Sequence, residues 1–310
     1  MGKAGAVTPW SEWRPVAGLP AAIPPDVLGE LLDGGQAFRW NACADGSWLG
    51  VWSGHVARLR AGRDGRLEWC APLPLAAVTG QELEKYLATG TDFAALTDAL
   101  PWRSDPHLAG ALASYRGLRI LRQPLGETLL GFMCSAMKQI VQIKRMLELL
   151  AERHGAPLAV VGLPGSAAPV TLHRLPSWPE LARIPERDLR ACLLGFRARH
   201  IAATARFLAE RPGWIEETEA LPHAVAKERL RALPGVGEKI ADCTLLFGAG
   251  RLEAFPVDVW ILRALAVRYG LEGWKPEQVA RFGRAHFGAA AGLAQQFLFA
   301  WERRAARVER

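Results

Sequence analysis

Residues 233–243, which read LPGVGEKIADC, constrain the fold of this chain more than any other segment. Pro234 and Gly235 stop a preceding helix, Gly237 permits a tight left-handed turn, and apolar residues resume at Ile240. The segment therefore predicts a helix–hairpin–helix. Glycines at such a turn let backbone N–H groups approach a phosphate, and the second helix adds its positive N-terminal end. An ordinary corner between two helices remains the alternative, because short Gly-x-Gly signals are weak.

A lysine follows this turn directly. Lys239 falls in the first turn of the second predicted helix, where the positive helix end and partial burial both favour the neutral amine. Nucleophilic attack requires that neutral form. Only 7 of the 38 basic residues are lysines, so a lysine inside a motif draws attention. The alternative is a solvated lysine on a helix surface.

An aspartate lies nineteen residues further on, in the sequence FPVDVW. Asp258 precedes another stripe of apolar residues at helical spacing, which makes it a candidate N-cap. A capping carboxylate is rigidly held, and its second oxygen can face a cleft. Structural and chemical roles are therefore compatible at this position.

The amino-acid composition limits the classes of protein to which this chain can belong. The chain has 310 residues, of which 50% are apolar and 22% charged, so global disorder is excluded. No apolar run approaches the roughly 20 residues of a membrane span, and residues 1–13 lack the apolar core of a secretion signal. The five cysteines are widely spaced, so no cysteine-ligated zinc or iron–sulfur site is expected. The net charge of +7 permits a polyanionic partner.

The pattern along the chain predicts an α+β fold with two domains. Residues 20–75 are typical of β structure, with hairpin turns at Asp45-Gly46 and Asp64-Gly65. A helix over residues 81–87, capped by Thr79, follows. We place an antiparallel N-terminal α+β domain at 1–105 and a helical domain at 106–310.

The second domain is predicted to be helical apart from one connection. Residues 155–179 contain five prolines and are typical of a long connecting segment. A helix begins at Pro185 and stops at Gly195. Further helices are expected around residues 201–208, 223–233 and 293–308.

Taken together, these motifs resemble a known family. LPGVGEKIADC followed by PVDVW is similar to the helix–hairpin–helix, Gly/Pro-rich loop, aspartate superfamily of DNA glycosylases. Other segments resemble 8-oxoguanine DNA glycosylase in family order from about residue 30 to residue 300. They are GGQAFRW at 34–40, LRQ at 121–123, FMCS at 132–135, GFRAR at 195–199 and AQQFLF at 294–299.

The resemblance implies a bifunctional enzyme acting on double-stranded DNA that contains oxidised guanine. The damaged nucleotide is flipped into a pocket. Lys239 attacks C1′, Asp258 stabilises the positive charge that develops on the sugar, and a Schiff base leads to strand cleavage by β-elimination. No cofactor and no metal ion is implied.

The resemblance also assigns a base pocket. Gly35 offers its backbone carbonyl to the N7–H that oxidised guanine has and guanine lacks. Phe299 and Cys243 contact the two faces of the base, and Gln295 binds its Watson–Crick edge. Taken singly, Gly35 is a loop glycine, Phe299 and Cys243 are more typical of a core, and Gln295 is typical of a solvated helix face.

DNA contacts are implied at seven further positions, some of which depart from the family pattern. They are Gly235, Val236 and Gly237 in the hairpin, with Phe196, Arg197, Met137 and Gln142 elsewhere. Met137 replaces an asparagine that fills the vacated stack, Gln142 an arginine that reads the opposite cytosine, and Trp260 a histidine. We therefore expect weak discrimination for cytosine opposite the lesion. Met137 either wedges into the stack or packs in the core.

Two other functions stay open at this point. One is a bifunctional glycosylase for a different oxidised base. The other is a DNA-binding module without catalysis, against which Lys239 and Asp258 together argue. In each case we expect a monomer without membrane association. Free thiols favour a reducing, intracellular location, which in a bacterium is the cytoplasm or nucleoid.

Overall fold

The structure, a computed structural model, describes residues 7–19 and 23–308, with side chains up to residue 306. The outermost ends of the two predicted domains, residues 1–6 and 309–310, lie outside this part. Five antiparallel strands form the N-terminal sheet: β1 (Arg14–Pro15), β2 (Trp40–Ala42), β3 (Trp48–Trp52), β4 (His55–Ala61) and β5 (Leu67–Cys70). Their order in the sheet is β1-β5-β4-β3-β2. The predicted α+β class is confirmed.

Both predicted Asp-Gly turns connect neighbouring strands. Gly46 lies between β2 and β3 with φ +78°, and Gly65 lies between β4 and β5 with φ +79°. Asp45 accepts hydrogen bonds from the Ser47 backbone N–H and hydroxyl, at 3.2 and 2.7 Å. The turn chemistry thus sets where each strand reverses.

Two helices of the N-terminal part differ from expectation. Residues 25–33, predicted within β structure, form α1 (Pro25–Asp33), which begins with proline at its first position and buries Val27, Leu28, Leu31 and Leu32. The next helix, α2 (Ala76–Tyr86), starts before Thr79. Thr79 is buried inside it, so the prediction that it caps a helix at 81–87 was wrong.

The rest of the chain is mainly helical, as predicted. The helices are α3 (Phe93–Asp98), α4 (Pro106–Ser114), α5 (Leu125–Cys134), α6 (Ile140–His154), α7 (Trp178–Leu181), α8 (Glu186–Leu189), α9 (Arg197–Ala209), α10 (Trp214–Ala220), α11 (His223–Arg231), α12 (Glu238–Phe247), α13 (Val259–Tyr269), α14 (Pro276–Phe287) and α15 (Ala291–Val308). A π-helical turn over Arg190–Leu194 follows α8, but Cys192 and Leu193 have non-helical backbone angles, so helical geometry ends before Gly195, where the sequence had predicted the stop.

The proline-rich segment was wrongly predicted to be a plain connection. It contains an antiparallel hairpin of β6 (Pro157–Val161) and β7 (Val170–His173). Val161 and Leu172 of this hairpin pack with Leu49, Val51 and Val56 of the N-terminal sheet. These long-range apolar contacts hold in place two strands whose valine and threonine residues favour β structure.

A single large apolar cluster joins the N-terminal sheet to the helices. It runs from Val16 to Ala300 and includes residues of α1, α5, α12 and α15. Helix α4 starts at Pro106, next to the predicted boundary, and packs on α15. The division at residue 105 remains a prediction. Within the described residues, 7–19 and 23–308, every helix is too short or too polar to cross a membrane.

Candidate active site

Helices α11 and α12 form the predicted helix–hairpin–helix. Gly235 has φ +80°, and a Cβ atom there would come within 2.6 Å of His200 Cβ. Gly235 is therefore the residue that requires glycine. Gly237 is extended, with φ −98° and ψ −176°, so the prediction of a left-handed turn at Gly237 was wrong.

The hairpin leaves some backbone N–H groups for a ligand. The Val236 N–H donates to the Leu233 carbonyl at 3.1 Å, and the Val236 side chain is buried. Gly235 and Gly237 are exposed, and no partner within the described part of the chain uses their N–H groups. The N–H groups of Gly235 and Gly237 are therefore better placed to bind a phosphate than the N–H group of Val236.

Lys239 lies in the first turn of α12, as predicted, and is half-buried. Its Nζ donates to Ser135 Oγ at 3.2 Å and lies 4.9 Å from the centre of the Phe132 ring. The Ser135 hydroxyl itself donates to the Phe132 carbonyl at 2.7 Å. Since its proton is engaged there, Ser135 holds Lys239 by one N–H and does not block a nitrogen lone pair.

Cys243 lies one turn after Lys239, on the same face of α12. Burial raises the pKa of the Cys243 thiol to about 12, although the nearby Lys239 side chain, within hydrogen-bonding reach, opposes the shift. The thiol stays neutral at physiological pH and is a poor nucleophile. In this pair, Lys239 is therefore the better nucleophile.

Asp258 is the N-cap of α13. Its Oδ1 accepts from the backbone N–H groups of Trp260 and Ile261, both at 3.0 Å. Burial raises the pKa of the Asp258 carboxyl, while these N–H groups and the charges of Lys239 and Arg303 oppose that shift. The Oδ2 atom accepts no hydrogen bond within the described part of the chain. The cap thus fixes a carboxylate with one oxygen left for another partner.

Lys239 and Asp258 line one cleft of about 1370 Å³. Its walls come from the end of α1, the loop between α5 and α6, the start of α12, the start of α13 and one face of α15. All four residues predicted to bind the base also line it: Gly35, Cys243, Gln295 and Phe299. Trp260 lies in the same wall. The structure brings together side chains that are spread over 265 residues of sequence, from Gly35 to Phe299.

Gly35 and Phe299 form a narrow part of this cleft. Gly35 has φ +111°, and a Cβ atom there would lie 3.6 Å from the Phe299 ring and 3.3 Å from Ile140 Cδ1. The space beside the ring therefore depends on the missing side chain. A flat ring and a nearby backbone carbonyl suit a planar heterocycle.

Gln295 is 4% exposed and lines the cleft. Its Oε1 is buried and has no hydrogen-bond partner within the described residues. A buried, unsatisfied amide oxygen is costly unless a ligand donates to it. This contradicts the view of Gln295 as a solvated helical residue and favours a binding role.

Met137 and Gln142 lie at the rim of the cleft. Met137 is 92% exposed and has φ +54°, so the alternative of a core methionine was wrong. Gln142 is exposed in the first turn of α6, where its Oε1 accepts from the Gln139 backbone N–H at 3.1 Å. The NH₂ group of Gln142 is then able to donate a hydrogen bond to an acceptor on a ligand.

Arg197 is placed differently from the other predicted DNA contacts. It is 4% exposed, and its guanidinium donates to the carbonyls of Ala136 and Leu194. It also lies 4.4 Å from the ring centre of Phe196, which is half-exposed. In this conformation Arg197 ties the loop that carries Met137 to the start of α9, instead of reaching outward.

Some residues of the site were missed at the sequence level. Ser135 lies inside the quoted FMCS motif, but nothing local indicates that it holds Lys239. Gln36 bonds to the Arg119 carbonyl and the Leu121 N–H, at 2.9 and 3.0 Å, and Gln123 donates to the Gln36 carbonyl at 2.7 Å. The GGQ and LRQ motifs were noted only as family-like segments, and nothing in them indicated this pairing.

The fold and the cleft together define a helix–hairpin–helix DNA glycosylase. A 3-methyladenine DNA glycosylase from Archaeoglobus fulgidus has a similar fold, with a TM-score of 0.71, 18% identity, and coverage of 94% of this chain and 98% of that one.

Comparison with known proteins indicates which family of DNA glycosylases this chain resembles. Residues 26–129 match the family described as 8-oxoguanine DNA glycosylase, N-terminal domain. A probable N-glycosylase/DNA lyase of Methanothermobacter thermautotrophicus is 31% identical, covering 69% of this chain and 73% of that protein. An N-glycosylase/DNA lyase of Arabidopsis thaliana is 29% identical, covering 86% and 74%.

A solved structure agrees with these relatives. The Clostridium acetobutylicum 8-oxoguanine glycosylase/lyase, in complex with double-stranded DNA containing cytosine opposite 8-oxoguanine, superimposes with a TM-score of 0.80 at 27% identity. The match covers 90% of this chain and 92% of that one. The chain belongs to the N-glycosylase/DNA lyase family of 8-oxoguanine DNA glycosylases.

Proposed function

We propose that this protein excises 8-oxoguanine from double-stranded DNA and then cleaves the strand. The observation that carries the proposal is the convergence of Lys239, Asp258 and the base-pocket residues on one cleft. The named N-glycosylase/DNA lyase relatives support the same two activities. A protein that repairs genomic DNA acts where that DNA is, so we place it inside the cell, in a bacterium at the nucleoid.

In the first step, Lys239 Nζ attacks C1′ of the flipped nucleotide. The new C–N bond forms as the C1′–N9 bond breaks and its electron pair leaves with the base, and the proton that the amine loses neutralises the departing base. Positive charge develops on the sugar as the bond breaks. Asp258, fixed by its capping bonds, stabilises that charge.

In the second step, the sugar ring opens and the lysine–sugar adduct becomes a Schiff base. The imine acidifies the C2′ proton. Its removal expels the 3′ phosphate by β-elimination, which cuts the strand on that side of the lesion. Lys239 therefore serves both reactions and is regenerated by hydrolysis of the imine.

The base pocket selects the lesion. The Gly35 carbonyl accepts from N7–H, whereas in guanine N7 is itself an acceptor and would face it unfavourably. Phe299 stacks on one face of the base and Cys243 contacts the other. The unpartnered Gln295 Oε1 accepts from the donor groups of the Watson–Crick edge.

DNA binding involves the rim of the cleft and the hairpin. Gly235 and Gly237 contact phosphate through their N–H groups, and Val236 supports the turn from the core. Met137 wedges into the stack vacated by the flipped base, with Phe196 and Gln142 beside the opposite strand. Arg197 holds the Met137 loop in place through the Ala136 carbonyl.

Borohydride trapping tests the proposal. Duplexes that contain 8-oxoguanine, another oxidised base or no lesion are incubated with the protein and borohydride. We expect a covalent adduct on the 8-oxoguanine duplex, lost in Lys239→Gln and retained in Lys275→Gln, an exposed lysine at the start of α14. Trapping only on the other lesion, or binding without any adduct, contradicts the proposal.

A further inference from the structure

Arg303 is a buried arginine that the chemistry of the reaction does not use. It lies four residues after Phe299 on α15, and it is 8% exposed. Arginine is almost never buried unless it is paired. In the sequence it looks like part of the basic end of the last helix.

The guanidinium group of Arg303 contacts three parts of the base pocket. Its Nη1 donates to the Gly34 carbonyl and to Glu30 Oε1, the latter at 2.9 Å. The guanidinium carbon lies 5.2 Å from the centre of the Phe299 ring. Arg303 thus contacts α1, the turn that carries Gly35 and the ring that stacks on the base.

The turn is held from its other side as well. Gln36, directly after Gly35, is fully buried and bonded to the segment that precedes α5 through the Arg119 carbonyl and the Leu121 N–H. Gly35 therefore lies between two anchored residues. No hydrogen bond within the described part of the chain uses its carbonyl.

We propose that Arg303 is a positioning residue that sets the Gly35 carbonyl against the Phe299 ring and thereby determines selectivity for 8-oxoguanine. The inference rests on the proposed function. Arg303 acts through Gly34 and Phe299 and does not touch the sugar. Its loss therefore affects base recognition, which precedes bond cleavage, and leaves Lys239 in place.

Two reactions of the same enzyme separate base recognition from the lysine chemistry. Excision of 8-oxoguanine needs the base pocket, whereas cleavage at a preformed abasic site has no base to recognise and needs Lys239. Both are measured under single-turnover conditions on one duplex sequence, at a pH on the plateau of the wild-type profile. The pH–rate profile of each Arg303 variant is recorded as well, because the charge of Arg303 opposes the rise in the pKa of Asp258.

We expect Arg303→Lys and Arg303→Met to lower 8-oxoguanine excision by up to about 10²-fold and abasic-site cleavage by less than about twofold. The ratio of 8-oxoguanine to guanine excision should fall as well. Glu30→Gln keeps the buried arginine and its hydrogen bond to Gly34, so it tests the same contact with less risk of misfolding. We expect it to lower 8-oxoguanine excision less than the Arg303 variants do, and to leave abasic-site cleavage unchanged. Arg304→Met, an exposed neighbour, is the matched control.

The outcomes separate the possibilities. A parallel loss of both reactions, together with a lower melting temperature, means that Arg303 is only structural and overturns the inference. Unchanged excision and selectivity in the Arg303 variants overturn it too. If the wild-type protein cuts abasic sites but not 8-oxoguanine, or cuts neither, the proposed function itself fails, and the wild-type samples alone reveal this.

Discussion

Lys239 and Asp258 stand at the N-terminal ends of two different helices, α12 and α13, and both side chains line one cleft. Lys239 is held at its amine nitrogen, whereas Asp258 is held through only one of its two carboxylate oxygens. Ser135 holds one N–H of Lys239, and the backbone of α13 holds Asp258 Oδ1. Asp258 Oδ2 therefore remains for the substrate beside an amine held in a fixed position, which is the preorganisation that the proposed reaction needs.

Replacing Asp258 by asparagine separates charge from capping. Asn retains an oxygen that caps α13 but cannot stabilise a positive sugar. We expect the rate of 8-oxoguanine excision to fall about 10²- to 10³-fold. Because burial raises the pKa of Asp258, the wild-type rate should fall on the acidic side at a pH above that of an ordinary aspartate. A pH–rate profile checks both points, and an acidic limb that persists in Asp258→Asn contradicts them.

The same substitution should stabilise the protein at neutral pH. A carboxyl whose folded pKa is raised above the usual 3.8 costs stability once it ionises. Stability therefore falls as the pH rises from the unfolded to the folded pKa, and the full penalty applies above the folded value. Thermal melts across this range should show Asp258→Asn as the more stable protein at neutral pH, with the difference vanishing in acid. A variant less stable at neutral pH would contradict the account.

Gly35→Ala tests the base pocket. The alanine must adopt φ +111° and places a methyl group 3.6 Å from Phe299. We expect excision of 8-oxoguanine to fall at least tenfold, since an unfavourable backbone conformation costs about 1–2 kcal/mol. Abasic-site cleavage should be retained. Gly46→Ala is the matched control, because Gly46 also has positive φ but lies in an open turn; equal effects of the two variants on excision would refute a specific role for Gly35.

Met137→Ala tests the wedge. Met137 is 92% exposed, so its truncation should leave the melting temperature unchanged. Burying a methionine in DNA contributes about 1.5 kcal/mol or more, so duplex binding and excision should weaken roughly tenfold. Val78→Ala, an exposed apolar residue on α2, controls for surface truncation. Binding measured by fluorescence anisotropy that is unaffected by Met137→Ala would exclude the wedge.

The base opposite the lesion should matter little. Gln142 stands where the family has an arginine, and a charged bidentate contact to a base is worth about 1–3 kcal/mol. We expect Gln142→Arg to increase the preference for cytosine about tenfold. Gln278→Arg removes the same capping contact from α14 and serves as the control. Excision rates opposite the four bases provide the measurement, and a strong cytosine preference in the wild-type protein would defeat the prediction.

Local signals predicted the elements that depend on local chemistry. Pro234 and Gly235 stop α11, Asp258 caps α13, and the Asp-Gly pairs reverse the sheet strands. Each of these features needs a residue type at one position of the backbone. Lys239 and Asp258 could be proposed as the reactive residues for the same reason, because they lie beside such signals.

Features that depend on distant partners could not be predicted. The β6–β7 hairpin forms because Val161 and Leu172 find an apolar surface on the N-terminal sheet. The buried role of Arg303 depends on Gly34, which is 269 residues away in the sequence. The left-handed residue is Gly235 and not Gly237, and the close approach of His200 leaves no room for a Cβ atom there. The partners in these contacts lie far apart in the sequence, so local patterns do not reveal them.

The residue that carries the trapped sugar shows directly whether Lys239 is the nucleophile. The adduct formed with borohydride on an 8-oxoguanine duplex is digested with nuclease and protease, and the modified peptide is sequenced by mass spectrometry. We expect the sugar remnant on Lys239 Nζ. A remnant on any other amine, such as the N-terminus or Lys138, would contradict it.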